Sequence, residues 1–128
     1  MKGIAGELDL HATALHLRQR RNMILGSNIS NAATPNFKAR DISFEDEMAR
    51  AQRSGPMLTT HSSHIPVTMA APGREVLFRD PINISPDGNT VELAVEQLEF
   101  AENAMRYQTS LTFLGNKISG LMSAIKGE

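Results

Sequence analysis

His61 and His64 come nearest, by type and spacing, to a metal-binding pair, and they sit three apart in a Ser/Thr-rich stretch. A zinc site needs three or four ligands held in fixed geometry, and no third ligand falls at a suitable spacing. The pair also lacks the i, i+4 spacing that puts two histidines on one helix face. His11 and His16 are five apart on a helical stretch and do not face each other. All four read as structural or solvated histidines. Arg18, Arg20 and Arg21 form the only basic cluster. Nucleic-acid binding would want a basic stripe with interleaved aromatics, so the cluster reads as a solvated or subunit-contacting helix face. A membrane-surface role fares no better, because the apolar residues around it are spread too widely for one clean face. Glu45, Asp46 and Glu47 are consecutive, so they splay around a helix instead of converging. No nucleophile motif or phosphate-binding glycine loop is present. The expectation is a protein that is not an enzyme, with no catalytic residue, no metal, no cofactor and no nucleic-acid partner.

These residues hang on two helical ends that enclose an irregular middle, a division marked by the six prolines (Pro35, Pro56, Pro66, Pro72, Pro81 and Pro86), which all fall between the ends. From Val91 to Lys126 the chain carries a heptad stripe: Phe100, Ala104, Tyr107, Leu111, Leu114, Ile118, Leu121 and Ile125 alternate in steps of four and three. Leu93 and Gln97 continue it upstream, and a polar Gln on such a seam can fix which register two helices choose. Asp87-Gly88 is a turn signal, and Asn89 with Glu92 has capping-box spacing, which predicts the helix start. Such a helix would be about 50 Å long and cannot bury its own stripe.

The first helix is predicted over Ile4 to Ala33, with Leu8, Ala12, Leu15, Asn22, Ile29 and Ala33 on one face and Leu10, Leu17 and Ile24 on an adjoining one. That width calls for more than one neighbour. The helix should end before Thr34-Pro35, since the residue before a proline avoids helical dihedrals. In the middle, Ser43 and Asp46 predict a cap for a short helix over 43–53. Residues 65–70 and 75–79 form a candidate β-hairpin around Pro72-Gly73. The fold class is therefore mainly α. Long terminal helices (1–34 and 91–128) pair as an antiparallel coiled coil around an irregular middle (35–90) holding a short helix and the hairpin.

With 128 residues, 41% hydrophobic but only 5% aromatic, the chain is one domain's worth with thin helical seams in place of a broad core. A net charge of −1 conceals a basic first segment and an acidic last one, which is consistent with terminal helices lying together. There is no Cys, so neither a disulfide framework nor a thiolate metal site is available. Glu7, Asp9 and His11 interrupt the apolar run a secretory signal requires, and no stretch reaches transmembrane length. By those signals alone the expected compartment is the cytoplasm.

Residues 28–47 carry a resemblance. Asn28, Ile29, Asn31, Thr34, Pro35 and Lys38 match the N-terminal signature A-N-N-I-A-N-x-x-T-P-G-Y-K of the bacterial flagellar rod, hook and hook-associated axial proteins. Asn36 stands where that signature has Gly, and Asn tolerates the left-handed conformation Gly would supply. Phe37 replaces Tyr, keeping the ring but losing the hydroxyl. The C-terminal segment from Asp87-Gly88-Asn89 through Phe100, Tyr107-Gln108 and Lys117-Ile118, together with His64-Ile65-Pro66, resembles the short proximal-rod members in particular.

The resemblance implies a structural subunit of the proximal rod of the flagellar basal body, assembling helically through its terminal helices near the membrane ring and transmitting torque. It implies contacts with further copies of the chain, other proximal rod proteins, the rod adaptor protein and the membrane ring. It also implies passage through the flagellar type III export apparatus without a cleaved signal, which replaces the cytoplasmic expectation with the periplasmic rod. The expected assembly seam is Leu93, Phe100, Ala104, Tyr107, Leu111, Leu114, Ile118, Leu121 and Ile125, with Leu8, Leu15, Asn22 and Ile29. The alternative is a cytoplasmic helical adaptor or regulator that oligomerises through the C-terminal heptads.

Overall fold

Prolines limit helix in the middle of the chain to one short element, and heptad spacing favours it at the ends. The computed structural model describes residues 3–53, 75–83 and 85–127. The elements are α1 (Ile4–Ser30), β1 (Arg40–Asp41), α2 (Phe44–Arg53), β2 (Leu77–Phe78) and α3 (Leu93–Lys126). The two long helices pair antiparallel: Arg21 meets Glu99, Asn22 meets Asn103 and Glu7 meets Lys117, so positions rise along α3 as they fall along α1. α2 packs on α1. His61, His64 and the stretch 65–70 with Pro72-Gly73 lie outside the described residues. The downstream half of the candidate hairpin is a strand, but its partner is β1: Arg40 stands opposite Phe78 and Asp41 opposite Leu77, antiparallel.

α1 stops at Ser30, short of the predicted Ala33. The reason is Asn31, whose backbone N–H is shared between the carbonyls of Ser27 and Asn28 and whose side-chain amide folds back on the Ser27 carbonyl at 2.8 Å. The chain then turns, with the Thr34 N–H donating to the Asn31 carbonyl, before Pro35 is reached. α2 follows its predicted span, and the Ser43 hydroxyl accepts the Asp46 N–H at 3.4 Å. α3 closes on Gly127 in the left-handed conformation, its N–H on the Ser123 carbonyl.

The start of α3 departs from the predicted capping box. The position that caps α3 is Glu92, without a side-chain cap bond, and its carboxylate accepts the Asn83 N–H instead. Asn89 is buried and serves the other helix. Its amide donates to the carbonyls of Asn31, Ala32 and Thr34 at 2.9–3.0 Å, while its Oδ1 accepts the Val91 N–H. The Asn31 and Thr34 carbonyls also accept the N–H groups of Thr34 and Phe37, so Asn89 adds a further donor to each and ties the end of the first helix to the threshold of the last.

Among the described residues the buried apolar side chains are four, Leu17, Leu25, Ala39 and Ile42, against six buried polar ones, Asn28, Glu47, Asn89, Thr90, Glu96 and Asn103. Fully buried positions are thus mostly polar and hydrogen-bonded, while apolar side chains such as Leu15, Leu114 and Leu121 are half-buried along the helix pair.

The turn after α1 and the turn before α3 interlock through two left-handed residues, Asn36 (φ 61°) and Gly88 (φ 76°). The Asn36 N–H donates to the Asp87 carbonyl, and a Cβ added at Gly88 would stand 2.6 Å from Asn36 Oδ1. Gly88→Ala combines that collision with a left-handed backbone that costs about 1–2 kcal/mol without glycine. We expect it to destabilise the chain by roughly that amount or more, read as a lower denaturation midpoint by circular dichroism.

Candidate assembly interface

Asn28 is fully buried near the end of α1 and joins that helix to both β1 and α3. Its amide donates to the Arg40 carbonyl at 2.7 Å and to Glu96 Oε2 at 3.1 Å, while its Oδ1 accepts the Arg40 N–H at 3.1 Å. The side chain thus pairs with Arg40 as a neighbouring strand would, and the bond to Glu96 ties that pairing to α3. The other signature residues build the same junction. Lys38 Nζ donates to the Gly88 carbonyl at 2.6 Å, Thr34 Oγ1 to Asn31 Oδ1, and the Thr90 N–H to the carbonyl of half-buried Phe37. Ile29 is half-buried, and Thr34 and Pro35 are exposed.

The charges in the junction alternate. Arg21 bridges Asp41 and Glu99, all at 2.8 Å, and Arg79 bridges Asp41 at 2.5 Å and Glu96 Oε1 at 2.8 Å. The order Glu99, Arg21, Asp41, Arg79, Glu96 runs from α3 through α1, β1 and the end of β2 back to α3. Burial alone would push the Asp41 carboxyl up, but hydrogen bonds from Arg21, the Ile42 N–H and Arg79 outweigh it and hold the carboxyl below its ordinary value. Glu96 goes the other way. Burial raises it, with Asp41 and Glu99 adding to the rise, and Asn28 and Arg79 offset only part of the effect. Arg21 is raised by its bond to Asp41 despite its burial. Arg18 lies 4.2 Å above the Phe44 ring, and burial lowers its pKa. Two of the three clustered arginines are therefore used inside the fold; Arg20 is exposed.

Along α3 the line that faces α1 is Glu96, Asn103, Ser110 and Lys117, interleaved with Phe100, Tyr107, Leu114 and Leu121. Asn103 donates to the Arg18 carbonyl and to Asn22 Oδ1 at 2.8 Å each, and Lys117 pairs with Glu7 at 2.8 Å. Glu96, Asn103 and Lys117 thus have partners on α1, whereas Ser110 donates to the Arg106 carbonyl of its own helix, and Leu111, Ile118 and Ile125 of the predicted stripe lie outward. Gln97, expected on the seam, is exposed, and Glu96 holds the interior place beside it. Tyr107, Leu114, Leu121 and Ala104 are half-buried. Leu93 and Ile125 are exposed, as are Phe100 (37%), Leu111 (44%) and Ile118 (42%). On α1, Leu8, Leu15, Asn22 and Ile29 are all half-buried. Helical periodicity sets Leu111 and Glu99 on opposite flanks of the Glu96–Asn103 line, so one flank is ion-paired and the other is apolar and open.

Sequence reasoning missed Glu96, Asn103, Arg79 and the true role of Asn89. The available signal was the recurrence of polar residues every seven positions at 96, 103, 110 and 117, one step before Gln97, Ala104, Leu111 and Ile118. Arg79 carried no signal, because only the β1–β2 pairing brings it to Asp41. Among the described residues no group of three or more His, Asp or Glu is placed to hold a metal ion, and no helix is long and apolar enough to cross a membrane.

Residues 8–38 match the family model described as flagella basal body rod protein. Over 128 residues the chain is 57% identical to the flagellar basal body rod protein FlgB of Cereibacter sphaeroides, covering all of both chains. It is 42% identical to FlgB of Salmonella typhimurium, across 94% of this chain and 93% of that one. With FlgB of Escherichia coli the identity is 38%, across 93% and 92%.

Asn28→Ala leaves Glu96 Oε2 and the Arg40 backbone without their partner. At about 1–3 kcal/mol for each buried group left unpaired, a loss of about 3 kcal/mol is expected in equilibrium unfolding. Glu96 also makes a pH prediction. Its raised pKa means the folded state holds the proton better than the unfolded one, so its contribution to stability falls as pH rises from the ordinary 4.5 through the raised value. Asp41 acts oppositely, its contribution being present above the ordinary 3.8 and lost as pH falls through the lowered value. Thermal melts of Glu96→Gln against the parent should show the decline that begins above pH 4.5 reduced in the variant and the acid-side loss retained.

Proposed function

The chain belongs to the flagellar basal body rod protein family, and from that premise we propose that it is a structural subunit of the proximal rod. It assembles helically with further copies and with the other proximal rod proteins, and transmits torque along the rod. At the rod base it meets the rod adaptor protein and the membrane ring. It reaches the periplasmic rod through the flagellar type III export apparatus. The observation that carries this reading is the open apolar flank of α3. Phe100, Leu111, Ile118 and Ile125 stay in water in the single chain, while the opposite flank is closed by Arg21 and Glu99. A contiguous apolar stripe of this kind marks a surface that another protein covers. The seam residues Leu93, Phe100, Ala104, Tyr107, Leu111, Leu114, Ile118, Leu121 and Ile125, with Leu8, Leu15, Asn22 and Ile29, are its assembly contacts. The relatives lend no support to a cytoplasmic adaptor.

Folding is coupled to assembly in this reading. A chain with four buried apolar side chains among its described residues gains little from its own core, so neighbours must supply the burial that offsets ordering of the long helices. A head-to-tail contact whose rotation does not close generates the open helical array a rod requires.

Leu111→Asp tests the seam and separates it from folding. Because Leu111 is 44% exposed, the substitution should change single-chain stability by no more than about 0.5 kcal/mol. In the assembled rod it would place an unpaired carboxylate in a covered apolar contact. The expected result is a variant secreted at normal levels, missing from purified hook–basal bodies by mass spectrometry, in cells that do not swim. Normal incorporation of the variant would refute the seam. Absence of the wild-type chain from basal bodies, in a strain whose flagella survive its deletion, would refute the rod role.

A further inference from the structure

The α1–α3 contact line carries polar side chains where a helix pair of this length would gain more from apolar ones. Glu96 and Asn103 are both fully buried on α3, one heptad apart. Each meets a side chain of α1, Glu96 through Asn28 and Asn103 through Asn22, and Asn103 also meets the Arg18 carbonyl. Between and beyond them, Phe100, Tyr107, Leu114 and Leu121 recur every seven residues. An alignment displaced by one heptad would offer α1 a similar apolar stripe, so apolar packing by itself does not discriminate between alignments.

We propose that the Asn28–Glu96 and Asn22–Asn103 contacts form a two-point register lock. They select one antiparallel alignment of α1 with α3, and thereby fix which α3 residues remain on the open flank. A slip that brings Asn103 up to Asn28 carries Glu96 beyond the end of α1, away from Asn28 and Arg79. The reverse slip carries Asn103 from the Arg18–Asn22 stretch to the His11–Leu15 stretch, and leaves Asn28 opposite the chain that precedes α3. Each slip strands at least one buried amide or carboxylate, which is strongly disfavoured. A single buried Asn fixes register in coiled coils by the same means. The lock has two unequal points, an amide–carboxylate pair and an amide–amide pair. Exchanging their partners therefore does not restore both. Glu7–Lys117, at the far end, is exposed on both sides and adds little discrimination. Asn103 Oδ1 has no hydrogen-bond partner among the described residues, and a leucine there would bury more apolar surface. Asn103 thus favours one alignment at the expense of adhesion.

The chain has no cysteine, so alignment can be read by introduced pairs. Glu7→Cys with Lys117→Cys reports the observed register. Glu7→Cys with Ser110→Cys, or with Ala124→Cys, reports a one-heptad displacement in either direction. Each pair is treated with a short bis-maleimide in the purified full-length chain, and intramolecular products alone are counted. In the native background only the 7–117 pair should react. In a background that removes both points (Asn22→Leu, Asn103→Leu, Asn28→Leu and Glu96→Leu) the displaced pairs should rise several-fold towards the yield of the native pair, with helical circular dichroism retained. A leucine variant that still yields only the 7–117 product would overturn the lock. So would loss of its helical signal, which would make the contacts a source of stability and not of register. Displaced products in the native background, or no 7–117 product there, would overturn it as well. The assay contains no flagellar component, so its failure leaves the rod role where it stands.

Discussion

A carboxylate taken out of water must be met by donors, and Glu96 imposes that requirement at the point where α1, the strand pair and α3 come together. It is met by Asn28 from α1 and Arg79 from the end of β2. Arg79 reaches it only because β2 pairs with β1, and Asn28 only because the chain after α1 turns back to offer the Arg40 backbone. The second carboxylate, Asp41, shares Arg79 and draws in Arg21, which in turn holds Glu99. Arg21, Asp41 and Arg79 each hold two charged partners, so the members of the junction support one another. Burial of Glu96 is itself unfavourable to the charged form. Its value lies in directing geometry, since a buried ion pair adds little to stability over an apolar replacement.

That division of labour accounts for the two flanks of the helix pair. On the side of Glu99, contacts are polar, directional and completed within the chain. On the side of Leu111 and Ile118, they are apolar, non-directional and left open. Apolar contacts tolerate small differences in angle between neighbours, whereas hydrogen bonds and ion pairs do not. A subunit that keeps its directional contacts inside and offers its apolar ones outside has a defined shape and an adaptable surface. This suits a member of a family of basal body rod proteins, which assemble with other flagellar rod components.

The helices were legible because their signals are local: heptad spacing for α3, the proline boundary for α1, and Ser43 with the acidic first turn for α2. The left-handed residue at Asn36 was legible for the same reason, since few side chains other than Asn replace Gly there. Asn89 was read as a cap because Asn before a helix usually is one. Its burial under the end of α1 depends on residues more than fifty positions away, and no local rule reports that. The stripe on α3 was found but placed one step round the helix. Apolar templates favour Ala104, Leu111 and Ile118 over Asn103, Ser110 and Lys117 on the inner face. Asn103 prevails at its position because α1 presents Asn22 and the Arg18 carbonyl to receive it.

The placement error is informative about the energetics. In an isolated two-helix pair, turning Leu111 and Ile118 inward in place of Asn103 and Ser110 would bury more apolar surface, each such side chain being worth about 1.5–3 kcal/mol when fully covered. The chain forgoes that gain and keeps those side chains partly in water. Burial is not lost if a neighbour supplies it, and then it contributes to association instead of to the monomer. A chain arranged in this way is weakly held alone and firmly held in an array, because the same side chains cannot serve both interfaces. Within the single chain, therefore, the buried polar residues of α3 determine its shape, and the open apolar ones determine its capacity to be joined.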